Sequence, residues 1–143
     1  MTGKSEVAPL IADSNLVCYA LLGVAKYGEE AMQVLESLDE IVVPELFRAE
    51  VVNVLWQMVQ HADVDISLAH EALDDADSLI DRIVPTTATM HRALELGVAA
   101  KHPTYDLHYV SAAELLGTKL VTYDARLRRK FNDITVAPPD LLD

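Results

Sequence analysis

Short apolar runs alternating with helix-length segments constrain this chain more than any other feature. Residues 8–12, 41–43, 83–84, 120–122 and 134–136 read as strands, the last of them at a sheet edge. Helical punctuation fills the intervals. Asp13 or Ser14 is placed to cap a helix to about Leu22, and Gly23 to stop it. Residues 28–38 put Met32, Leu35 and Leu38 on one helical face, and Pro44 is placed to open a long helix to about Gln60. Further helices are predicted over 66–81, 87–100 and 105–116, with Gly117 as a stop, and a short basic one from Ala125 to about Phe131. Strands alternating with helices imply an α/β sandwich around a mostly parallel sheet.

The length of 143 residues suits one domain with a substantial core, and 51% apolar residues exclude a disordered chain. We expect residues 1–7 to form a flexible tail and 8–143 a single domain. The single cysteine, Cys18, permits no internal disulfide and fits a reducing, cytoplasmic setting, as a small core residue. No stretch is long and apolar enough for a membrane span, and the first residues are too polar for a signal peptide. Eleven basic against 23 acidic residues give a net charge of −12. That balance argues against a protein that coats nucleic acid by bulk attraction, but it does not exclude a nuclease, because metal-binding carboxylates contribute acidity of their own.

Four acids merit attention. Asp13 and Asp124 each follow an apolar strand and precede a helix. Either alone reads as a helix cap. Two in equivalent positions point to one crevice, because open parallel sheets bind ligands beyond the carboxyl ends of their strands. Glu50 borders the apolar stripe of Phe47, Val51, Val54, Leu55 and Met58, whereas Glu45 falls nearly opposite and should be solvated. Asp106 lies in a first helical turn, on the face of Tyr109, Val110 and Ala113, where it also suits the helix dipole. Converging carboxylates repel by about 4 kcal/mol per close pair at an effective dielectric of 20. Such a site calls for cations, and all-oxygen ligation suits Mg²⁺ or Mn²⁺, as one ion or two.

The segments LIADSNLV, PELFRAEVVNVL, YDLHYVSAAELLG and LVTYDARL, in that order, resemble PIN-domain ribonucleases, particularly the VapC-type toxins of toxin–antitoxin pairs. They span residues 10–127. The resemblance implies a three-layer α/β/α sandwich, usually dimeric. It implies Mg²⁺- or Mn²⁺-dependent cleavage of RNA by a metal-activated water, leaving a 5′-phosphate. Carried over residue by residue, the catalytic and metal-binding set is Asp13, Glu50, Asp106 and Asp124, with Asn15 and Thr122 as supporting polar groups. In toxin members an antitoxin covers the first helices and the long Glu-bearing helix, here residues 14–22, 28–38 and 45–60. Lack of an appended domain favours a toxin over a housekeeping nuclease of the same kind.

The basic cluster Arg126, Arg128, Arg129 and Lys130 follows Asp124 at once and reads equally as an RNA phosphate grip or as a solvated last turn. His61, His70, His91, His102 and His108 show no zinc spacing and read as surface or loop residues. Trp56 suits helix packing or a partner contact, and the acids from Glu71 to Asp81 a solvated face. A phospho-accepting receiver domain is disfavoured, because Lys119 enters its strand and no acidic pair follows the first strand. A PIN-like module that binds without cutting is disfavoured by the intact acidic set.

Overall fold

The structure, a computed structural model, describes residues 9–142. The expected tail, and the start of the first strand at Ala8, lie outside the described residues. Five strands, β1 (Leu10–Ala12), β2 (Ile41–Pro44), β3 (Arg82–Val84), β4 (Leu120–Val121) and β5 (Thr135–Val136), form one sheet in the order β3-β2-β1-β4-β5. Every pairing among them is parallel. The described residues also form seven α-helices: α1 (Ser14–Leu22), α2 (Gly28–Ser37), α3 (Phe47–His61), α4 (Ile66–Leu79), α5 (Thr86–Ala100), α6 (Thr104–Leu116) and α7 (Ala125–Lys130). A 3-10 turn over Pro138–Leu141 follows.

Strand order fixes where the helices go. The chain walks from β1 to β2 to β3 in one direction, then returns to β4 on the far side of β1. Right-handed crossovers therefore put α1–α4 on one face of the sheet and α5–α7 on the other. The order reverses between β1 and β4, and the crevice beyond the carboxyl ends of those two strands is the natural ligand position in an open parallel sheet. Their register, Ile11 beside Leu120 and Ala12 beside Val121, brings Asp13 and Thr122 out at the same level. The core on both sides is apolar: Ile11, Val42, Val43 and Val121 from the sheet, Leu16, Phe47 and Val51 from one layer, Leu107 and Val110 from the other.

One helix start differs from expectation. Pro44 does not open α3; it ends β2, paired beside Val84, and the helix begins at Phe47. Proline's φ fits a strand end as well as a first helical turn, and the fully buried Ile41–Pro44 run is held in the sheet. Glu45 is exposed as expected, yet its carboxylate accepts the Thr86 N–H at 2.8 Å, and this bond keeps the carboxyl below its usual range. The acids from Glu71 to Asp81 are all exposed, as expected, and Asp77 pairs with the likewise exposed Arg48. Just past α4, the Asp81 carboxylate accepts the Ile41 N–H at 2.7 Å.

The α5–α6 corner is tight because Gly97 has no side chain. A Cβ there would lie 2.7 Å from Thr104 Cγ2 and 3.1 Å from the His102 carbonyl. Lys101 takes the left-handed conformation at φ 54°, turning the chain so that His102 N–H reaches the Gly97 carbonyl. This corner delivers both His102 and Asp106 to the crevice side of α6. Among the described residues, no helix is long and apolar enough to cross a membrane.

Candidate active site

Asp13 sits where β1 becomes α1, in extended conformation at φ −75° and ψ 146°. It caps the helix: Oδ1 accepts the Asn15 N–H at 2.8 Å. Its other oxygen, Oδ2, accepts the hydroxyl of Thr122. Thr122 is fully buried, and the same hydroxyl accepts the Asp124 N–H at 3.0 Å. One hydroxyl thus ties the ends of two adjacent strands together and orients two acids at once. Asp124 in turn caps α7, accepting the Leu127 N–H at 3.0 Å. Capping and convergence are therefore not rival readings here, because each cap leaves lone pairs facing the crevice.

Glu50 arrives from α3 and Asp106 from the first turn of α6. Asp13, Glu50, Asp106 and Asp124 line one polar pocket of about 210 Å³, with Ser14, Asn15, Asn53, Gln57 and Tyr109 among its other walls. Burial and repulsion set its electrostatics. Burial raises the Asp13 carboxyl above its usual range; Thr122 and the Asn15 N–H oppose that, and the Asp106 and Asp124 charges add to it. Burial pushes Glu50 up to about 7, again with Asp13 and Asp106 contributing. The Tyr109 phenol lies beside Glu50, and burial raises it further. Its oxygen is buried, with no well-aligned hydrogen-bond partner among the described residues. Among the described residues, no three of these side chains stand as a preformed ligating cluster. Cys18, behind Asp13, is buried in the core, and its thiol is pushed up to about 12.

The basic residues separate into two kinds. Arg128 donates to the Thr122 carbonyl at 2.8 Å and so fastens the turn that carries Asp124. Lys130 reaches back across the α5–α6 corner to His102. Arg126 and Arg129 stay exposed on α7. His102 lies in the loop between α5 and α6, as expected, but it is buried there, and its Nε2 lies 2.8 Å from Asp106 Oδ2. The spacing of four residues between them was the available signal. Asn53 and Gln57 were also legible in principle, at three and seven residues beyond Glu50 on one helical face. His108, by contrast, is occupied with Thr89 Oγ1 at 2.8 Å.

A larger groove of about 300 Å³ lies between α3 and α4, under Val52, Trp56 and Ile66. Its walls are apolar, and it carries none of the four acids. Of the two, the smaller polar pocket is the one that the four acids line, and Trp56 beside the groove is about half exposed.

The profile of the PIN domain family matches residues 10–131. Among solved structures, the fold is similar to the crystal structure of PAE2754 from Pyrobaculum aerophilum. The two share 21% identity over 94% of this chain and 87% of that one, with a TM-score of 0.72. It is also similar to a toxin–antitoxin complex from Klebsiella pneumoniae. There the identity is 19% over 90% of this chain and 97% of that one, with a TM-score of 0.64. At these identities the likeness is one of fold. Comparison with curated proteins gave no match.

Proposed function

Because this chain belongs to the PIN domain family, a family of nucleases, we propose that it is a divalent-metal-dependent endoribonuclease and the toxin of a toxin–antitoxin pair. The observation that carries this reading is the joining of Asp13 and Asp124 through Thr122 at the point where strand order reverses, with Glu50 and Asp106 in the same pocket. The donor set is oxygen only, and burial, with the neighbouring acids adding to it, raises the Asp13 and Glu50 carboxyls, so negative charge in the pocket lacks compensation. Both properties fit a hard cation. Asp13, Glu50, Asp106 and Asp124 would hold it. A bound Mg²⁺ or Mn²⁺ supplies positive charge against the phosphate and lowers the pKa of a nearby water.

The chain's own groups do the positioning. The Asn15 N–H and the Thr122 hydroxyl fix the plane of the Asp13 carboxylate. The α7 cap fixes Asp124, and Arg128 stiffens the turn beneath it. Asn53, Gln57 and Asn15 line the pocket with neutral donors that can hold phosphate or ribose oxygens without adding charge. Arg126 and Arg129, free of the turn, are the residues of the basic cluster best placed to meet RNA phosphates.

A neighbour whose structure is a toxin–antitoxin complex supports an antitoxin as partner. Such a protein would lie over α1, α2 and α3. The exposed Val52 and Trp56 of α3 offer it apolar surface next to the residues that flank Glu50. Met90, Leu94 and Val98 form an exposed apolar stripe at helical spacing on α5, which supports a homodimer. The test of function is direct. Purified protein incubated with structured RNA and Mn²⁺ should yield discrete fragments with 5′-phosphate ends, and a chelator should stop the reaction. Fragments with cyclic 2′,3′-phosphates, or cleavage that persists with chelator, would exclude the proposed chemistry.

A further inference from the structure

His102 is the one buried imidazole of the α5–α6 corner, with only 3% of its side chain exposed. A ring so enclosed must satisfy both nitrogens from within the protein. Nε2 lies 2.8 Å from Asp106 Oδ2, and Nδ1 lies 3.2 Å from Lys130 Nζ. The chemistry of the two neighbours orients the ring. An ammonium only donates, so Nδ1 accepts; a carboxylate only accepts, so the hydrogen on Nε2 is given to Asp106. Lys130 is held to this position by a second contact, 3.4 Å from the Lys101 carbonyl at the left-handed turn. The bond engages one oxygen of Asp106, whose side chain is 42% exposed and lines the pocket.

We propose that Lys130 and His102 are positioning residues that lock the Asp106 carboxylate, with Lys130 selecting the imidazole tautomer and His102 holding Oδ2, so that Oδ1 is presented to the cation. This rests on the reading of Asp106 as a metal-holding acid. It transmits the orientation of a surface ammonium into the pocket without placing that ammonium there, where it would compete with a cation. Partners of this kind, behind a ligand, change metal affinity by roughly 10–100-fold when removed.

Two readouts separate the relay from the metal reading. The first needs no metal: imidazole nitrogen chemical shifts of the full chain should report the Nε2–H tautomer for His102, and Lys130→Met should erode that pattern while the melting temperature stays near wild type. Lys130 is exposed, so this variant folds even if changes at the buried ring do not. The second is calorimetric titration with Mn²⁺ alone. Lys130→Met and His102→Leu should bind about tenfold more weakly, whereas His102→Gln, which keeps an amide donor near the Nε2 position, should recover most of the affinity. An Nδ1–H tautomer in the wild type, or undiminished Mn²⁺ affinity in both Lys130→Met and His102→Leu, overturns the relay. A wild type with the Nε2–H tautomer that binds no Mn²⁺ overturns the metal role of Asp106 instead.

Discussion

Asp13→Asn is expected to lower RNA cleavage by about a thousandfold while leaving the fold intact. The loss corresponds to about 4 kcal/mol of transition-state stabilisation, the scale of a Lewis-acid contribution. Asn is nearly isosteric with Asp. Its oxygen still accepts the Asn15 N–H, so α1 keeps a cap, and the Thr122 hydroxyl can rotate to accept from the new amide. What disappears is the charge at the meeting point of β1 and β4. Burial and the Asp106 and Asp124 charges disfavour that charge in the metal-free protein. The variant should therefore melt at or above the wild type without metal, yet fail to cleave. A melting curve and a cleavage assay on the same purified sample decide the matter. Cleavage within tenfold of wild type would remove Asp13 from the chemistry, and an unfolded variant would make its role structural.

The second large effect is a reversal of pH dependence by metal. The Glu50 carboxyl titrates at about 7 in the fold against 4.5 when unperturbed. Below pH 4.5 it is protonated in both the folded and unfolded chain. Between 4.5 and 7 the unfolded chain has released a proton that the fold still holds, so rising pH favours unfolding, and above 7 both states are ionised. The raised Asp13 carboxyl acts in the same direction. Without metal, stability should fall across this window by on the order of 1–2 kcal/mol, a figure reduced for the partial exposure of Glu50. Glu50→Gln should flatten most of the slope. With Mn²⁺ in excess the sign should invert, because a cation competes with protons for the same oxygens and binds better as pH rises. Thermal melts from pH 4.5 to 8, with chelator and with Mn²⁺, check both limbs.

Much of this geometry was open to reading from residues alone, for reasons that differ by position. Asp13 and Asp124 stand out because each ends a short apolar run, and that context survives without knowledge of strand order. Glu50 was placed by its helical wheel, and the wall it shares with Val54 and Gln57 matches that placement. The strand order itself, and so the reversal between β1 and β4, depends on which runs become neighbours, which local pattern does not encode. Pro44 misleads because its preferred φ serves strand ends and helix starts alike, and burial of the whole Ile41–Pro44 run decides between them. His102 was hidden for a similar reason. It precedes Pro103 in a loop, where exposure is the ordinary state, and only the close approach allowed by Gly97 folds it under α6. The Thr122 bridge needs the β1–β4 register to exist at all.

The most direct measurement is thermal stability with and without Mn²⁺ or Mg²⁺, for the wild type and for Asp106→Asn. A cation that binds only the folded state at a hundredfold excess over its dissociation constant stabilises by about 2.7 kcal/mol. In a chain of this size that is a rise of several degrees. The wild type should show this rise, and Asp106→Asn much less of it, because Asp106 shares the pocket with Asp13 and Glu50. A wild type that does not respond at millimolar metal, or a variant that responds equally, would contradict a metal site built on these acids and return Asp13 and Asp124 to service as helix caps.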